Sequence, residues 1–421
     1  MAQSQQNDVY SDFGALSYET WKAQVIKEVK GEDAFAQLFK TSPEGITSQP
    51  YYTLEDLASK EFSPLTKPLQ GWKITEYITV QNPTDALANA QKALLKGTDK
   101  VVFIVTNEAH IAQLSPLPAN TAIWAKGFIP TQNNVFTDAL MELAEKGELE
   151  KVSQTISPAS QHYIVDASVY HNAGAETASQ LAFALAHANE YLNLGVKQLT
   201  VNFAVGSNYF FEIAKLRAFR KVYALLAKQY GINEQAVITC ETALNNKTIY
   251  DYNNNILRAT TETMAAVIGG CDVMYVHPYD VLFKQPNDFS ARIARNVQLV
   301  LKYESYMDKV QDAAAGSFYI ETLTEEIAAK SWQLFKRFEA MGGWIKGITT
   351  NLFPTMIFDR FLGEQQNVDE GKKVILGVNK YADNSQRMKA DIEPVQLINN
   401  KLFPLRRFAE KAEQQRINEE L

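Results

Sequence analysis

A closed (β/α)8 TIM barrel is the fold class the sequence predicts, with an N-terminal extended arm before it and a C-terminal helical extension after it. Three observations carry that reading. From Trp72 onward, short β-branched runs alternate with long helical patterns, the signature of repeated βαβ units. About eight such units occupy about 270 residues, which suits a closed barrel better than an open sheet. The stretch from Thr248 to Asn296 reads as helix, strand, loop and helix in one sweep. Within it Asn255, Leu257, Thr260, Met264 and Val267 recur at helical spacing, and Gly269-Gly270 stops the helix. The apolar run Asp272–His277 then suits a buried parallel strand, Pro278 ends it, and a polar loop leads to the next helix at Ser290.

Taken in order, residues 17–58 form an approach segment with Trp21, Val25, Val29, Phe35 and Leu38 as its apolar members. It ends in an extended aromatic arm, Pro50-Tyr51-Tyr52, suited to lie on its own domain or on a partner. Strands are predicted at Lys73–Val80, Lys100–Thr106, Thr121–Lys126, Gln161–Ser168, Gln198–Val205, Gln235–Glu241 and Asp272–His277, with an eighth near Lys309–Asp312. Helices are predicted at Thr84–Leu95, Phe136–Glu145, Glu176–Leu194, Tyr209–Tyr230 and Tyr250–Ile268. Beyond the barrel, Ser317–Met341 is amphipathic and Gly342-Gly343 breaks it. Glu364–Lys373 reads as charged loop, and Arg406–Leu421 as an exposed helix or frayed end. The expected division is an arm and helix over 1–70, the barrel over 71–345 and the extension over 346–421.

Composition excludes several function classes. The 421 residues are 46% hydrophobic and 21% charged, an ordinary globular balance. The net charge of −7 comes without a basic stripe, so nucleic acid is not an expected partner. No run of about 18 apolar residues argues for a membrane span, and the first residues lack the basic and apolar regions of a signal peptide. Cys240 and Cys271 are the two cysteines, too few for a disulfide framework, so a reducing cytoplasm is expected.

Barrel chemistry belongs to loops at the carboxyl ends of the strands. Those ends carry His171 with Asn172 after the fourth predicted strand, Asn208 after the fifth, Glu241-Thr242 after the sixth and His277 after the seventh. A histidine so placed serves as acid, base or hydrogen-bond donor, or simply as a satisfied loop residue. Glu241 and His277 are the candidate acid–base pair. No cysteine–histidine metal spacing and no Walker loop occur.

Several spelled-out segments resemble one family. NNNILRATTETMAAVIGG (Asn253–Gly270), DFSARIARN (Asp288–Asn296), YHNAGA (Tyr170–Ala175), DAAAGSFYIETLT (Asp312–Thr324), PYYTLED (Pro50–Asp56) and VILGVNKYAD (Val374–Asp383) are similar to the methylmalonyl-CoA mutases, cobalamin-dependent acyl-CoA mutases. The resemblance implies the same barrel and a role in interconverting methylmalonyl-CoA and succinyl-CoA by radical rearrangement. Its departures are equally informative. Catalytic chains carry a tyrosine ahead of the first strand, whereas Ser63–Leu69 has none. They carry a substrate-holding arginine where this chain has Gln132 and Asn133 with no arginine before the next strand, so a carboxylate would lack its bidentate partner. The YHNAGA loop is two residues shorter than the catalytic pattern, which displaces His171 from a catalytic position. The last histidine is His277, leaving no later residue to act as lower cobalt ligand.

The resemblance therefore implies the small, non-catalytic chain of a two-chain mutase, without a cobalamin-binding domain. No cofactor is expected on this chain alone, with adenosylcobalamin in the large catalytic partner and acyl-CoA as substrate of the complex. Arg292 and Arg295, at i and i+3 on one helical face, lie in a segment that in the family is near the acyl-CoA portal. They are expected to form ion pairs that hold the barrel, with phosphate binding as the competing role. The alternative is a stand-alone acyl-CoA enzyme using His171, Glu241 and His277 without cobalamin.

Overall fold

The computed structural model describes residues 17–57, 71–132, 134–158, 162–395, 397 and 399–420. Ser63–Leu69, Asn133 and Gln161, which figure in the readings above, lie outside them. The chain divides into two compact units, one up to Glu61 and one from Phe62 onward.

In the first unit, a helix over Tyr18–Val29 is capped by Ser17, whose hydroxyl accepts from the Thr20 amide, and it stops at Lys30 in the left-handed region. A second helix spans Glu32–Ala36, and Lys40–Thr41 pairs antiparallel with Thr47–Ser48. Tyr51 stacks on Trp21 at 4.9 Å and Phe35 meets Trp21 edge-on at 6.1 Å. The aromatic arm thus folds back on its own unit.

The second unit is a closed barrel of eight parallel strands, as expected. They are β1 (Lys73–Thr79), β2 (Lys100–Val105), β3 (Thr121–Ala125), β4 (Val135–Thr137), β5 (His162–Asp166), β6 (Leu199–Val205), β7 (Val237–Thr242) and β8 (Val273–Tyr275). β8 closes the ring on β1, with Val273 opposite Lys73 and Tyr275 opposite Thr75. The main outer helices are α1 (Pro83–Leu95), α2 (Ala139–Lys146), α4 (Thr177–Asn193), α5 (Tyr209–Gln229), α6 (Asn254–Gly269), α7 (Asp288–Tyr303) and α8 (Phe318–Ala340), and α3 (Ser168–Ala173) caps the exit of β5. Period-two alternation sorts the strand residues between two cores. Val101, Phe103, Val105, Ile123 and Val135 pack outward with Ala86, Ala90 and Ala93 of α1. Val102, Ile104, Trp124 and Ile164 point into the barrel with Tyr77, Ala122 and Phe136.

The eighth strand was expected in the wrong place. Lys309–Asp312 is loop, held by the buried Arg217, whose guanidinium bridges Asp312 at 2.6 Å and Glu321 at 2.6 Å. The missing strand is β4, which lies inside the stretch expected to begin a helix at Phe136. Three residues are too few to display a period, and Asp138, capping α2 by accepting from the Met141 amide at 3.2 Å, separates strand from helix. Every later strand moves up by one, so His171 follows the fifth strand and His277 the eighth.

One further expectation changes and another is narrowed. The first part of Glu364–Lys373 is helical, because α10 (Leu352–Asp369) runs on to Asp369, and 370–373 is turn. One-turn contacts reinforce it, Gln365 to Asp369 at 2.9 Å and Gln366 to Glu370 at 2.7 Å. The last segment is a helix with mostly exposed residues, the first of its two expected forms, and it is tethered rather than frayed. α11 (Glu410–Glu419) is anchored by Glu413, which accepts from the Ile249 amide at 2.7 Å and from Arg407 at 2.5 Å. Glu420 accepts from the Tyr250 hydroxyl and from the amides of Met388 and Lys389 at 3.0 and 2.7 Å. The C-terminal residues thus strap over the loops that follow β7.

Candidate functional site

The carboxyl ends of the strands build a rung of polar side chains across the barrel. Lys126, just past β3, sets Nζ 2.9 Å from Asp166 Oδ2 at the end of β5. Asp166 Oδ1 accepts from the Ser168 hydroxyl at 2.6 Å and from Asn202 Nδ2 of β6 at 3.0 Å. Asn202 Nδ2 also reaches Glu241 Oε2 of β7 at 3.1 Å, while Thr239 donates to Asn202 Oδ1 at 2.9 Å. Glu241 Oε1 lies 3.4 Å from His277 Nε2, just past β8. The His277 amide donates to the Thr242 hydroxyl at 3.0 Å, fixing the imidazole-bearing turn.

The electrostatics follow from low-dielectric surroundings. Burial alone would lower the Lys126 pKa, but Asp166 and Glu241 outweigh it and hold the ammonium above its ordinary range. Burial would raise Asp166, yet Lys126, Asn202 and Ser168 overcome that and hold its carboxyl below the usual range. Lys126 and Asp166 are therefore an ionised pair whose polar atoms are satisfied within the rung.

Aromatic rings share this space. Tyr77 and Tyr275 stack at 4.1 Å, Trp124 meets Tyr77 edge-on at 6.0 Å, and the Lys126 ammonium lies 4.0 Å from the Trp124 ring centre. Burial, then the Glu241 charge, raises the Tyr77 phenol well above its ordinary value and acts likewise on Tyr275, so both remain protonated. Trp124 is 2% exposed and Tyr275 9%. A ligand threaded along the barrel axis would have to displace these rings.

The structure thus brings together Glu241 and His277, the pair nominated from the sequence. His171 stands apart: among the described residues, no hydrogen bond or ion pair joins it to either. It lies in α3, where Nδ1 is 3.0 Å from Gln180 Nε2 and 3.9 Å from Glu212 Oε1. A Cβ on Gly206 would come within 2.7 Å of His171 Cε1, so the ring is wedged against bare backbone. Burial, then the neighbouring Lys215, holds its pKa well below the ordinary value. Lys215 is fully buried, with Nζ 2.5 Å from Glu212, 2.9 Å from Gln180 Oε1 and 2.7 Å from the Ala204 carbonyl. The ring of His171 thus takes Gln180 rather than Asn172, whose side chain accepts from the Leu244 amide at 2.9 Å. Asn208 is exposed, and its carbonyl accepts the Glu212 amide at 2.9 Å.

Arg295 and Arg292 have different surroundings. Arg295 is 6% exposed and pairs with Glu76 of β1, its Nη2 3.2 Å from Oε2, while its Nε lies 3.2 Å from the Thr98 hydroxyl. On the same face Gln298 accepts from the Trp72 indole at 3.1 Å and Lys302 meets Asp99 at 3.1 Å. Thr98 and Asp99 precede β2, so this face of α7 bolts the helix to the amino end of the sheet. Arg292 is exposed and makes no ion pair among the described residues.

Lys126, Asp166 and Asn202 were not singled out beforehand. Their signal was present: each is a polar residue in, or at the end of, a mainly apolar strand.

A corrin would need a free imidazole and an open barrel axis here. His171 and His277, the imidazoles at these strand ends, are engaged by Gln180 and Glu241, and Tyr77, Trp124 and Tyr275 occupy the axis. Among the described residues no cluster of three or more metal-binding side chains forms. These residues do not fit a bound cobalamin.

An all-parallel eight-stranded barrel with a packed axis and a polar rung at its carboxyl end defines the class. Residues 141–421 match the family model for methylmalonyl-CoA mutase, and the chain belongs to that family of cobalamin-dependent isomerases. It is 30% identical to the methylmalonyl-CoA mutase small subunit of Porphyromonas gingivalis, over 89% of this chain and 71% of that protein. Similarity to the methylmalonyl-CoA mutase of Rhizobium meliloti is 38% identity over 52% of this chain and 33% of that protein. The Porphyromonas gingivalis large subunit is 35% identical over the same shares. The chain therefore spans about a third of the length of those longer relatives. Among the described residues no helix is long and apolar enough to cross a membrane.

Proposed function

We propose that this chain is the small subunit of a heterodimeric methylmalonyl-CoA mutase and is itself non-catalytic. Its partner is a large catalytic chain that carries adenosylcobalamin and interconverts methylmalonyl-CoA and succinyl-CoA in the cytoplasm. In this reading the arm spans 1–70, the barrel 71–345 and the extension 346–421. The observation that carries it is the Tyr77–Tyr275 stack with Trp124 across the barrel axis. An acyl-CoA threaded through this barrel would have to displace the buried rings of Trp124 and Tyr275 and the half-buried ring of Tyr77, at a cost of several kcal/mol. The similarity to a small subunit over 89% of the chain supports the same assignment. Arg295 then serves the fold rather than a phosphate, while Arg292, expected to pair as well, is exposed and makes no ion pair among the described residues.

The 3.4 Å approach of Glu241 to His277 favours a second reading, an acid–base pair acting on an acyl-CoA in this barrel itself. Co-purification with the cognate large chain, followed by mass measurement and turnover, separates the two. The proposal expects a one-to-one complex whose activity survives Glu241→Gln. An isolated chain that turns over acyl-CoA, and loses that activity in Glu241→Gln, overturns it.

A further inference from the structure

Under the short helix α9 (Gly343–Thr349), two carboxylates from different helices face one another. Glu190 belongs to α4 and Glu339 to α8. A Cβ on Gly343 would sit 2.9 Å from Glu190 Oε1 and 3.6 and 3.7 Å from the two oxygens of Glu339. Gly343 itself has φ of +74°, so the site requires glycine both for its backbone conformation and for the approach. Glu190 accepts the Ile345 amide at 3.2 Å and so ties down the first turn of α9. Glu339 Oε2 accepts from Asn189 Nδ2 at 2.8 Å, and Asn189 Oδ1 accepts from the Tyr230 hydroxyl at 2.6 Å. Glu339 Oε1 is buried and has no hydrogen-bond partner.

The other charged and titratable groups around the pair do not neutralise it. His187, one turn back on α4, acts weakly on Glu190, and its own Nε2 is 3.1 Å from Asp138, although off the N–H direction. Tyr230, at the end of α5, is a phenol hydrogen-bonded to Asn189 and Asn193. Lys336, Arg337 and Lys346, the cations nearest in sequence on α8 and α9, make no ion pair with either carboxylate among the described residues. With both carboxyls crowding Gly343, Glu190 acting on Glu339 and one Glu339 oxygen unsatisfied, a proton on the pair relieves the like charge.

We infer that Glu190 and Glu339 form a proton-operated latch that seats α9 on the barrel and releases it when the pair becomes fully ionised. The seat matters because α9 carries Trp344. Its indole donates to the Tyr170 hydroxyl at 2.8 Å and stacks on His187 at 4.2 Å, and Tyr170 is the neighbour of His171 in α3. α9 also leads directly into α10 and the strap over the barrel's carboxyl end. A change at the latch is thereby delivered to that face.

Burial, then the Glu190 charge, pushes Glu339 up to about 7, and burial raises Glu190. A carboxyl whose folded pKa is raised binds its proton more tightly folded than unfolded. Its stabilising effect is full below the unfolded value and fades as pH rises toward about 7. The latch is therefore closed in acid and opens near neutrality. Both carboxyls are half-buried, so solvent screening keeps the effect well below its formal ceiling.

The test is hydrogen exchange by mass spectrometry on the full chain at pH 5.5 and pH 8, corrected for intrinsic rates. Peptides covering Gly342–Thr350 are expected to exchange about threefold faster at pH 8, while peptides from β6 do not change. Glu339→Gln, a neutral isostere, is expected to remove that difference and keep the segment protected at pH 8. Equal protection of the wild-type segment at both pH values overturns the inference, as does an undiminished pH effect in Glu339→Gln. Glu190→Gln serves as the second variant. Because the readout is local exchange rather than turnover, it is independent of whether the subunit assignment holds.

Discussion

His171 illustrates how far one side chain departs from what its motif suggests. The ring sits at a strand's carboxyl end, where a catalytic histidine belongs, but Gln180, Glu212 and the bare backbone of Gly206 enclose it. With its folded pKa depressed, the neutral ring adds stability above the ordinary histidine value, and that stability is lost as pH falls through and below that value. His171→Ala should cost about 1 kcal/mol at pH 8 by urea denaturation, for one buried hydrogen bond, and weaken the acid-side loss of stability. A change in the turnover of a reconstituted two-chain enzyme with no change in stability would be incompatible with this role. Arg295 makes the opposite case. Arg295→Ala strands Glu76 and Thr98 in the interior and should lower stability by about 3 kcal/mol or more, whereas Arg292→Ala should be close to neutral. Equal effects of the two substitutions in thermal melts would refute that asymmetry.

Elements set off by stop signals were legible in the sequence, even one as short as β8, whereas those that run straight into a neighbour or are held by distant charges were not. β1, β2, β3 and β5 to β8 lie within a residue or two of their expected limits because apolar residues at alternate positions serve two cores. β4 was not legible: Val135, Phe136 and Thr137 precede a capped helix that begins at Ala139, and apolar residues run through the junction. The false strand at Lys309–Asp312 failed for a different reason. Its order comes from Arg217, far away in sequence, and no local pattern announces a bridge to Asp312 and Glu321. The strap shows the same limit, since the charged composition of residues 406–420 gives no hint that Glu413 and Glu420 reach the loop after β7. Glu413→Ala should leave the Ile249 amide and Arg407 unpartnered, costing about 2 kcal/mol, and should open the C-terminal residues to limited proteolysis before the barrel melts. Loss of barrel and strap in one step, with unchanged midpoint, would contradict a distinct clasp. Phe103→Ala, in the outer core of β2, should cost about 3–5 kcal/mol and destabilise the barrel as a whole.

For the whole molecule, the site was only half legible. Glu241 and His277 were nominated as a pair and do meet, because adjacent parallel strands in register bring their carboxyl ends together. Lys126, Asp166 and Asn202 complete the rung, but their partnership depends on closure of the ring, which no single segment encodes. The rings of Tyr77, Trp124 and Tyr275 come from three strands and converge only once β8 pairs with β1. In the proposed reading, that convergence marks a barrel that supports a partner rather than one that takes a substrate. The most direct measurement is the turnover of the chain reconstituted with its large catalytic partner and adenosylcobalamin, with Glu241→Gln and His277→Ala combined in this chain. The account predicts that the double variant still assembles and that methylmalonyl-CoA turnover stays within about twofold of wild type. A fall of about a hundredfold or more, with the complex intact by mass, would show that chemistry takes place in this barrel and contradict the account.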